Sequence, residues 1–203
     1  MKRIYLITPN NLTKKFYSFL PKILASKKVK FLQLRCKSYS RSKIDIHLRK
    51  ILTITKKYNV KLIINDDSSF VKKYKNTGFH LGQKDLMKKN NISNLKRNYC
   101  FGITCHNSIS LAKKALKFKP HYIAFGAFFP TKTKRVKYIA KKDILKKAKK
   151  FKTKVVAIGG ITNKNYKELI ESGADYIAIS GFIWKNKRCL LYTSDAADEG
   201  FCV

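Results

Sequence analysis

The sequence predicts a single compact (β/α)8 barrel of the TIM type, and three observations carry the prediction. Eight short apolar runs rich in Ile, Val, Phe and Tyr recur along the chain. Lysine-rich amphipathic stretches lie between them, and apolar strands that alternate with helices form parallel sheets covered on their outer face. Polar residues follow seven of the runs, at the strand ends where such barrels build their active sites.

The eight runs are the predicted strands, and they cover residues 4–8, 31–34, 61–65, 78–81, 100–104, 122–125, 155–158 and 176–179. Apolar residues at helical spacing predict helices at 13–26, 43–58, 68–75, 108–118, 142–151 and 164–172, with a weak one at 91–96. An open doubly wound sheet would also gather polar residues at its strand ends. The pattern therefore supports a site more strongly than it supports closure of the barrel.

The last fifteen residues differ in composition from the rest of the chain. All 46 Lys and Arg precede residue 189, and the segment CLLYTSDAADE at 189–199 looks like a translated sequencing adapter. We therefore expect a barrel domain over residues 1–188 and a non-native tail over 189–203. The last helix of the barrel would then be incomplete.

Basic residues dominate the charge of the chain. The 46 Lys and Arg face only 11 Asp and Glu, and a net charge of +35 is typical of proteins that bind nucleic acid or another polyanion. However, 39 of the 46 are lysines and they are spread along the whole chain, which favours a solvated surface without a specific nucleic-acid site. No apolar run approaches the ~20 residues that span a bilayer.

The five cysteines show no metal-ligand spacing, which suits a reducing cytosol. We expect a cytoplasmic protein that acts on small molecules away from membranes. The sequence makes no prediction of its oligomeric state.

Two scarce carboxylates, Asp66 and Asp85, follow the neighbouring predicted strands 3 and 4. Paired carboxylates hold Mg²⁺ when substrate phosphate oxygens complete its shell. Asp66 could instead cap the following helix, and spacing alone does not decide between the two roles, although Asp67 is the better cap. Beyond strand 2, Arg35 and Lys37 alternate so that both can point at one polyanion.

The loops after strands 6, 7 and 8 indicate a second anion site. The segment AIGGIT at 157–162 offers unobstructed backbone N–H groups, and barrels commonly bind phosphate after strands 7 and 8. A tight turn would explain the glycines equally well on their own. The connection at 126–140, which contains TKTK, is long for an otherwise tightly looped barrel. Two anion sites predict two anionic substrates, one of them a pyrophosphate.

An ordered set of motifs over residues 2–185 resembles the thiamine phosphate synthase family: YLITP, QLRCK, IINDD, HLGQKD, GITCHN, AFGAFFPTKTK, AIGGI and GADYIAISG. The resemblance implies a transferase that joins hydroxymethylpyrimidine pyrophosphate to hydroxyethylthiazole phosphate and releases pyrophosphate. It also implies Mg²⁺ bound by Asp66 and Asp85, and a dissociative step in which the thiazole nitrogen captures a pyrimidine methylene cation.

The resemblance further implies residue roles. Arg35, Lys37 and Lys134 would act on the pyrophosphate, whereas Lys132 is equally explained as a surface lysine. Cys36 and Thr104 depart from the family pattern. Thr104 stands where the family usually has serine, and its side chain also carries a hydroxyl group. The implied substrate-binding set is Gln33, Leu34, Arg35, Cys36, Lys37, Asn65, Thr104, Thr131, Lys132, Thr133, Lys134, Gly160, Ile179 and Ser180.

Two other functions compete with this prediction. A thiazole tautomerase of the same superfamily would share the barrel and the phosphate cradle, but it would not need the aspartates and the cationic residues. A nonenzymatic polyanion-binding protein would explain the charge of +35, but not the acidic residues at strand ends. Both explain less of the sequence than the synthase.

Overall fold

A computed structural model describes residues 2–88, 99–131 and 139–185 of the chain. Eight parallel strands form a closed barrel in sequence order, and β1 completes it by pairing with β8. The strands are β1 Ile4–Ile7, β2 Val29–Leu34, β3 Lys61–Asn65, β4 Thr77–Leu81, β5 Cys100–His106, β6 Tyr122–Gly126, β7 Lys154–Ile158 and β8 Tyr176–Ile179. The predicted barrel and its closure are confirmed.

Helices connect the strands on the outside of the barrel. Those in the described residues are α1 Lys14–Ala25, α2 Arg41–Lys57, α3 Phe70–Lys73, α4 Gln83–Lys88, α5 Ile109–Leu116, α6 Asp143–Ala148, α7 Tyr166–Glu171 and α8 Gly181–Lys185. The last of these, α8, is short, with five residues. None of the described helices is long and apolar enough to cross a membrane.

Side-chain oxygens fix where three of the helices begin. Thr13, Ser40 and Ser108 precede α1, α2 and α5, and each accepts a hydrogen bond from the backbone N–H three residues later, at 3.4, 3.3 and 3.2 Å. Such caps satisfy N–H groups that have no partner within the helix. Together with the apolar spacing they explain why these three helices lie close to their predicted positions.

Two helix predictions differ from the structure, and a third is not tested by it. Helix α4, Gln83–Lys88, was not expected, because its polar residues were read as a loop at the end of a strand. Helix α3 has four residues where eight were expected. The weak helix predicted at 91–96 lies outside the described residues, as do residues 186–203 with the expected tail.

Alternation along the strands separates two cores. One set of side chains packs outward against the helices, and the other set fills the barrel interior around Tyr5, Phe31, Ile63, Tyr122 and Val156. Successive strand residues point to opposite faces. The interior set ends in polar side chains at the carboxyl ends of the strands, and this end of the barrel holds the candidate site.

Candidate active site

The carboxyl ends of β2 to β5 bring most of the predicted polar residues together. Asn65 is in register with His80 on the neighbouring strand, and the backbone N–H of Asp66 donates to the His80 carbonyl at 2.8 Å. Asp66 has a left-handed backbone, with φ of 64°. This turn takes the chain off the strand and leaves the Asp66 side chain beside Asp85 in the first turn of α4.

Asp66 and Asp85 form a carboxylate pair. Burial raises the pKa of the Asp66 carboxyl, and the neighbouring Asp85 raises it further, because the two carboxyls lie within hydrogen-bonding reach of each other. Like charges held this close oppose joint ionisation. A divalent cation relieves that repulsion, and hard oxygen donors are the ligands that Mg²⁺ prefers, so the donor set fits Mg²⁺.

The neighbouring Asp67 has a different role. Its Oδ1 accepts a hydrogen bond from the Ser69 backbone N–H at 2.9 Å, and its Oδ2 pairs with Arg41 at 2.6 Å. The N-cap residue of α3 is Ser69, so Asp67 shapes the turn before the helix and does not cap it as predicted. Of the two aspartates, it is therefore Asp66 that pairs with Asp85.

Arg35 and Lys37 supply positive charge on the side of β2. Both lie close enough to lower the pKa of Asp66 against the stronger effects of burial and of Asp85. Arg35 is half-buried and Lys37 is exposed, and the Arg35 backbone N–H donates to Thr8 Oγ1 at 3.0 Å. Two cations beside two carboxylates form a site that can hold a polyanion together with a divalent metal ion.

The loops after β6 and β7 pack closely on each other. Gly160 has φ of 66°, and a Cβ at this position would clash with the carbonyl oxygens of Phe129 and Pro130. The Phe129 N–H donates to the Gly159 carbonyl at 3.1 Å. Gly160 is therefore required by this close approach as well as by the turn.

At the end of β8, Ser180 Oγ donates to the Thr8 carbonyl at 3.3 Å. Trp184 Nε1 donates to the Ile7 carbonyl at 2.7 Å. These two bonds tie Ser180 and α8 to the end of β1. They fix Ser180 beside the mouth of the barrel.

A chain of buried hydrogen bonds crosses the barrel interior below these loops, and it was not predicted. Gln33 Nε2 donates to the Tyr5 hydroxyl at 3.0 Å, and this hydroxyl lies 2.7 Å from that of Tyr122. His80 Nδ1 lies 3.1 Å from the Tyr122 hydroxyl, and His80 Nε2 lies 2.8 Å from Thr104 Oγ1. We call these five residues the lumen chain. It joins two predicted site residues, Gln33 and Thr104.

Burial controls protonation within the lumen chain. It lowers the pKa of His80 to about 4, and the positive charge of Arg35 acts in the same direction. It raises the pKa of both Tyr5 and Tyr122 well above the ordinary value. All three side chains are therefore neutral at pH 7.

Three predicted site residues point away from the barrel interior. Leu34 and Ile179 are buried in the outer core between strands and helices, so only their backbone can face the site. Cys36 is also buried in that core, with Sγ 3.8 Å from the Pro9 carbonyl oxygen. Burial raises the pKa of its thiol, and this packing agrees with the alternation of Cys36 with Arg35 and Lys37.

The long connection after β6 is described only in part. Thr131 is half-buried at the end of a described segment. Lys132, Thr133 and Lys134 lie outside the described residues. Their predicted roles stay predictions.

Sequence reasoning missed Tyr5, Tyr122, His80 and Gln83 as residues of the site. Gln83 Nε2 donates to the Thr104 carbonyl. Alternation in GFHL places His80 on the interior face, and a buried tyrosine hydroxyl needs a partner. Those signals were present in the sequence, but they did not identify partners on strands far apart in sequence.

Comparisons with known proteins give a consistent result. Residues 4–183 match the family described as thiamine monophosphate synthase. The thiamine-phosphate synthase of Pelagibacter ubique is 48% identical over 191 residues, which cover 92% of this chain and 91% of the relative. That of Saccharophagus degradans is 35% identical and covers 84% of this chain and 82% of the relative.

Solved structures show the same fold. A thiamine phosphate pyrophosphorylase from Pyrococcus furiosus aligns with a TM-score of 0.78, at 23% identity, over 95% of this chain and 92% of that one. A mutant tryptophan synthase alpha-subunit from the same organism aligns with a TM-score of 0.66 at 11% identity, over 95% of this chain and 93% of that one. The barrel itself is therefore shared by proteins with different names.

Proposed function

The chain belongs to the thiamine monophosphate synthase family, and we propose that its barrel mouth joins a pyrimidine pyrophosphate to a thiazole phosphate. The products are thiamine phosphate and pyrophosphate, and the reaction is that of a transferase. The observation that carries this proposal is the Asp66–Asp85 carboxylate pair beside Arg35 and Lys37. That group of charges suits a bound pyrophosphate with its metal ion better than a single phosphate.

Asp66 and Asp85 are the residues that would hold Mg²⁺, together with oxygen donors of the substrate. When bound there, Mg²⁺ would neutralise negative charge that develops on the departing pyrophosphate. In the described residues no group of three or more His, Cys, Asp and Glu side chains could hold a metal ion. The pair therefore needs substrate oxygens, which ties metal binding to the pyrophosphate.

Arg35 and Lys37 hold the pyrophosphate and stabilise it as it leaves. The bond between the pyrimidine methylene carbon and the pyrophosphate oxygen breaks, and its electron pair goes to the oxygen. The thiazole nitrogen then donates its lone pair to the methylene cation and forms the new C–N bond. Positive side chains aimed at the oxygen that gains charge favour this dissociative route.

We assign the binding of the pyrimidine ring to Gln33, Asn65 and Thr104. Gln33 and Thr104 are fixed by their hydrogen bonds within the barrel interior, and Asn65 lies beside His80 on β3. A ring held by fixed side chains presents its methylene carbon in one direction. Positioning of this kind accounts for much of the rate of a bimolecular reaction.

The thiazole phosphate occupies the opposite side of the barrel mouth. The backbone of Gly160 and the side chain of Ser180 line it there, together with the backbone of Ile179. The family resemblance assigns the hydroxyl groups of Thr131 and Thr133 to the same phosphate. It assigns Lys134 to the pyrophosphate.

Turnover of aspartate variants tests the proposal. Purified protein with Mg²⁺ and both substrates should release pyrophosphate, and Asp66→Ala and Asp85→Ala should each abolish most of that release. Asp143→Ala, which removes an exposed carboxylate on α6, is the control and should keep full activity. Wild-type turnover in Asp66→Ala and Asp85→Ala would overturn the proposal.

The thiazole tautomerase remains the second candidate because it would use the same barrel and phosphate cradle. The Asp66–Asp85 pair disfavours it, since a tautomerase handles no pyrophosphate. A direct assay of thiazole isomerisation separates the two activities. A filter-binding assay with nucleic acid tests the nonenzymatic polyanion-binding alternative in the same preparation.

A further inference from the structure

The donor and the acceptor of each hydrogen bond in the lumen chain can be assigned in order, beginning at Gln33. Gln33 Nε2 donates to the Tyr5 hydroxyl, whose only other described partner is the Tyr122 hydroxyl. Tyr5 must therefore donate its single proton to Tyr122. Tyr122 in turn must donate to His80 Nδ1, the remaining acceptor in its reach.

The direction fixes the tautomer of His80. Because Nδ1 accepts from Tyr122, the ring proton of the neutral imidazole lies on Nε2, which donates to Thr104 Oγ1 at 2.8 Å. Stacking of the His80 ring on Tyr122, with centroids 5.7 Å apart, holds the imidazole in this orientation. Each hydrogen bond between the Gln33 amide and the Thr104 hydroxyl thus has one donor and one acceptor.

Both ends of the chain retain unused hydrogen-bonding groups. Among the described residues no hydrogen bond uses Gln33 Oε1, and Thr104 Oγ1 keeps its own proton after accepting from His80. None of the described buried side-chain N or O atoms lacks a partner, so Oε1 is not sealed in the barrel wall. Gln33 therefore presents the acceptor Oε1 alongside its second amide N–H, and Thr104 presents a donor.

We propose that Tyr5, Tyr122 and His80 are positioning residues that fix Gln33 as an acceptor and Thr104 as a donor towards an aminopyrimidine ring. The amino group of such a ring donates, and the adjacent ring nitrogen accepts. This edge complements Gln33 Oε1 and the Thr104 hydroxyl. The inference rests on the proposed function for the identity of the ring, while the direction of the chain stands without it.

The opposite direction is the alternative from which the proposal must be distinguished. If the Gln33 amide were turned over, every proton would shift, His80 would carry its proton on Nδ1, and Thr104 would donate to His80. Gln33 would then offer a donor and Thr104 an acceptor. That pair would suit an oxopyrimidine, which has a carbonyl group and a protonated ring nitrogen.

Nitrogen NMR of the wild-type protein tests the direction without any assay of activity. With ¹⁵N-labelled histidine, and His80 assigned by comparison with His80→Gln, we expect a neutral ring with the proton on Nε2 at pH 7. A proton on Nδ1 would overturn the proposal. This result does not depend on whether the protein makes thiamine phosphate.

Substrate selectivity tests the positioning role. In Tyr122→Phe the chain is cut, so the Gln33 amide is no longer held in one orientation. The kcat/KM ratio for the aminopyrimidine pyrophosphate over its 4-oxo analogue should fall about tenfold, which corresponds to one lost discriminating hydrogen bond. The rise in KM should concern the pyrimidine substrate and spare the thiazole phosphate.

Tyr176→Phe is the matched control. Tyr176 also faces the barrel interior and packs against Phe31, but it does not belong to the lumen chain, so its variant should keep the wild-type ratio. An unchanged ratio in Tyr122→Phe would overturn the proposal, as would an equal change in Tyr176→Phe. Failure of the wild type to turn over the aminopyrimidine would instead contradict the proposed function.

Discussion

The hydroxyls of Tyr5 and Tyr122 lie 2.7 Å apart in the middle of the barrel, although the residues are 117 positions apart in sequence. Both side chains are fully buried among interior residues of other strands. A buried hydroxyl is tolerated where its hydrogen bonds are satisfied. This contact therefore links the stability of the barrel interior to the orientation of the residues at its mouth.

Tyr122→Phe should destabilise the fold by about 1–3 kcal/mol, because the Tyr5 proton and His80 Nδ1 would each lose a buried partner. Denaturant unfolding measures the change. Tyr176→Phe, which leaves the lumen chain intact, should stay within about 0.5 kcal/mol of wild type. Equal losses in the two variants would show that the phenol is needed only for packing.

The strands could be predicted from sequence because each one is a buried apolar run. Predicted and observed bounds agree at both ends for β3 and β8, and the other strands differ by one or two residues at an end. A strand that is buried on both faces consists of apolar residues throughout. Such a run can be recognised in the sequence without knowing which strands pair with it. The helices were harder, since α3 has only four residues and α4 consists largely of polar residues.

Residues of the site could be predicted only where the residue type alone indicates a chemical role. Scarce acids, and an arginine directly after an apolar strand, pointed to Asp66, Asp85 and Arg35. The interior residues Tyr5 and His80 could not be predicted in their roles, because their chemistry comes from partners on other strands. Alternation gives the face on which a residue lies, but not the atom that it contacts across the barrel.

Arg35→Gln should lower kcat by about 10²–10³-fold, because a cation that stabilises the departing pyrophosphate would be lost. Steady-state turnover with saturating substrates measures the effect. Arg49→Gln provides the control, since Arg49 is exposed on α2 and pairs with Asp45. A similar loss in both variants would indicate a general effect of charge on this basic protein.

Lys134→Ala should impair turnover far more than Lys132→Ala. The resemblance places Lys134 at the pyrophosphate, whereas Lys132 is explained as a surface lysine. The two substitutions remove the same charge from neighbouring positions, so each serves as the control for the other. Comparable kcat/KM values for the two variants would contradict the assignment of Lys134.

His47 should make the stability of the protein depend on pH. Burial lowers its pKa below the ordinary 6.5, and Lys43 and Lys50 act in the same direction. Its ring stacks on Tyr17, and the Tyr17 hydroxyl lies 2.6 Å from Nδ1, while Tyr39 packs on the ring as well. The unfolded state therefore binds a proton at a higher pH than the folded state does.

The stability that neutral His47 provides should be present above pH 6.5 and fall as the pH is lowered below that value. Denaturant midpoints between pH 7.5 and pH 5 measure the loss. In His47→Gln the midpoint should change less over the same range. An identical pH dependence in wild type and variant would rule out His47 as its source.

The formation of product by the purified protein tests the central claim most directly. With Mg²⁺, pyrimidine pyrophosphate and thiazole phosphate, mass spectrometry should detect thiamine phosphate, and a coupled assay should detect pyrophosphate in equal amount. Omission of the thiazole phosphate should remove the thiamine phosphate. Pyrophosphate release without any thiamine phosphate, or no release at all, would contradict the assignment of this barrel as a synthase.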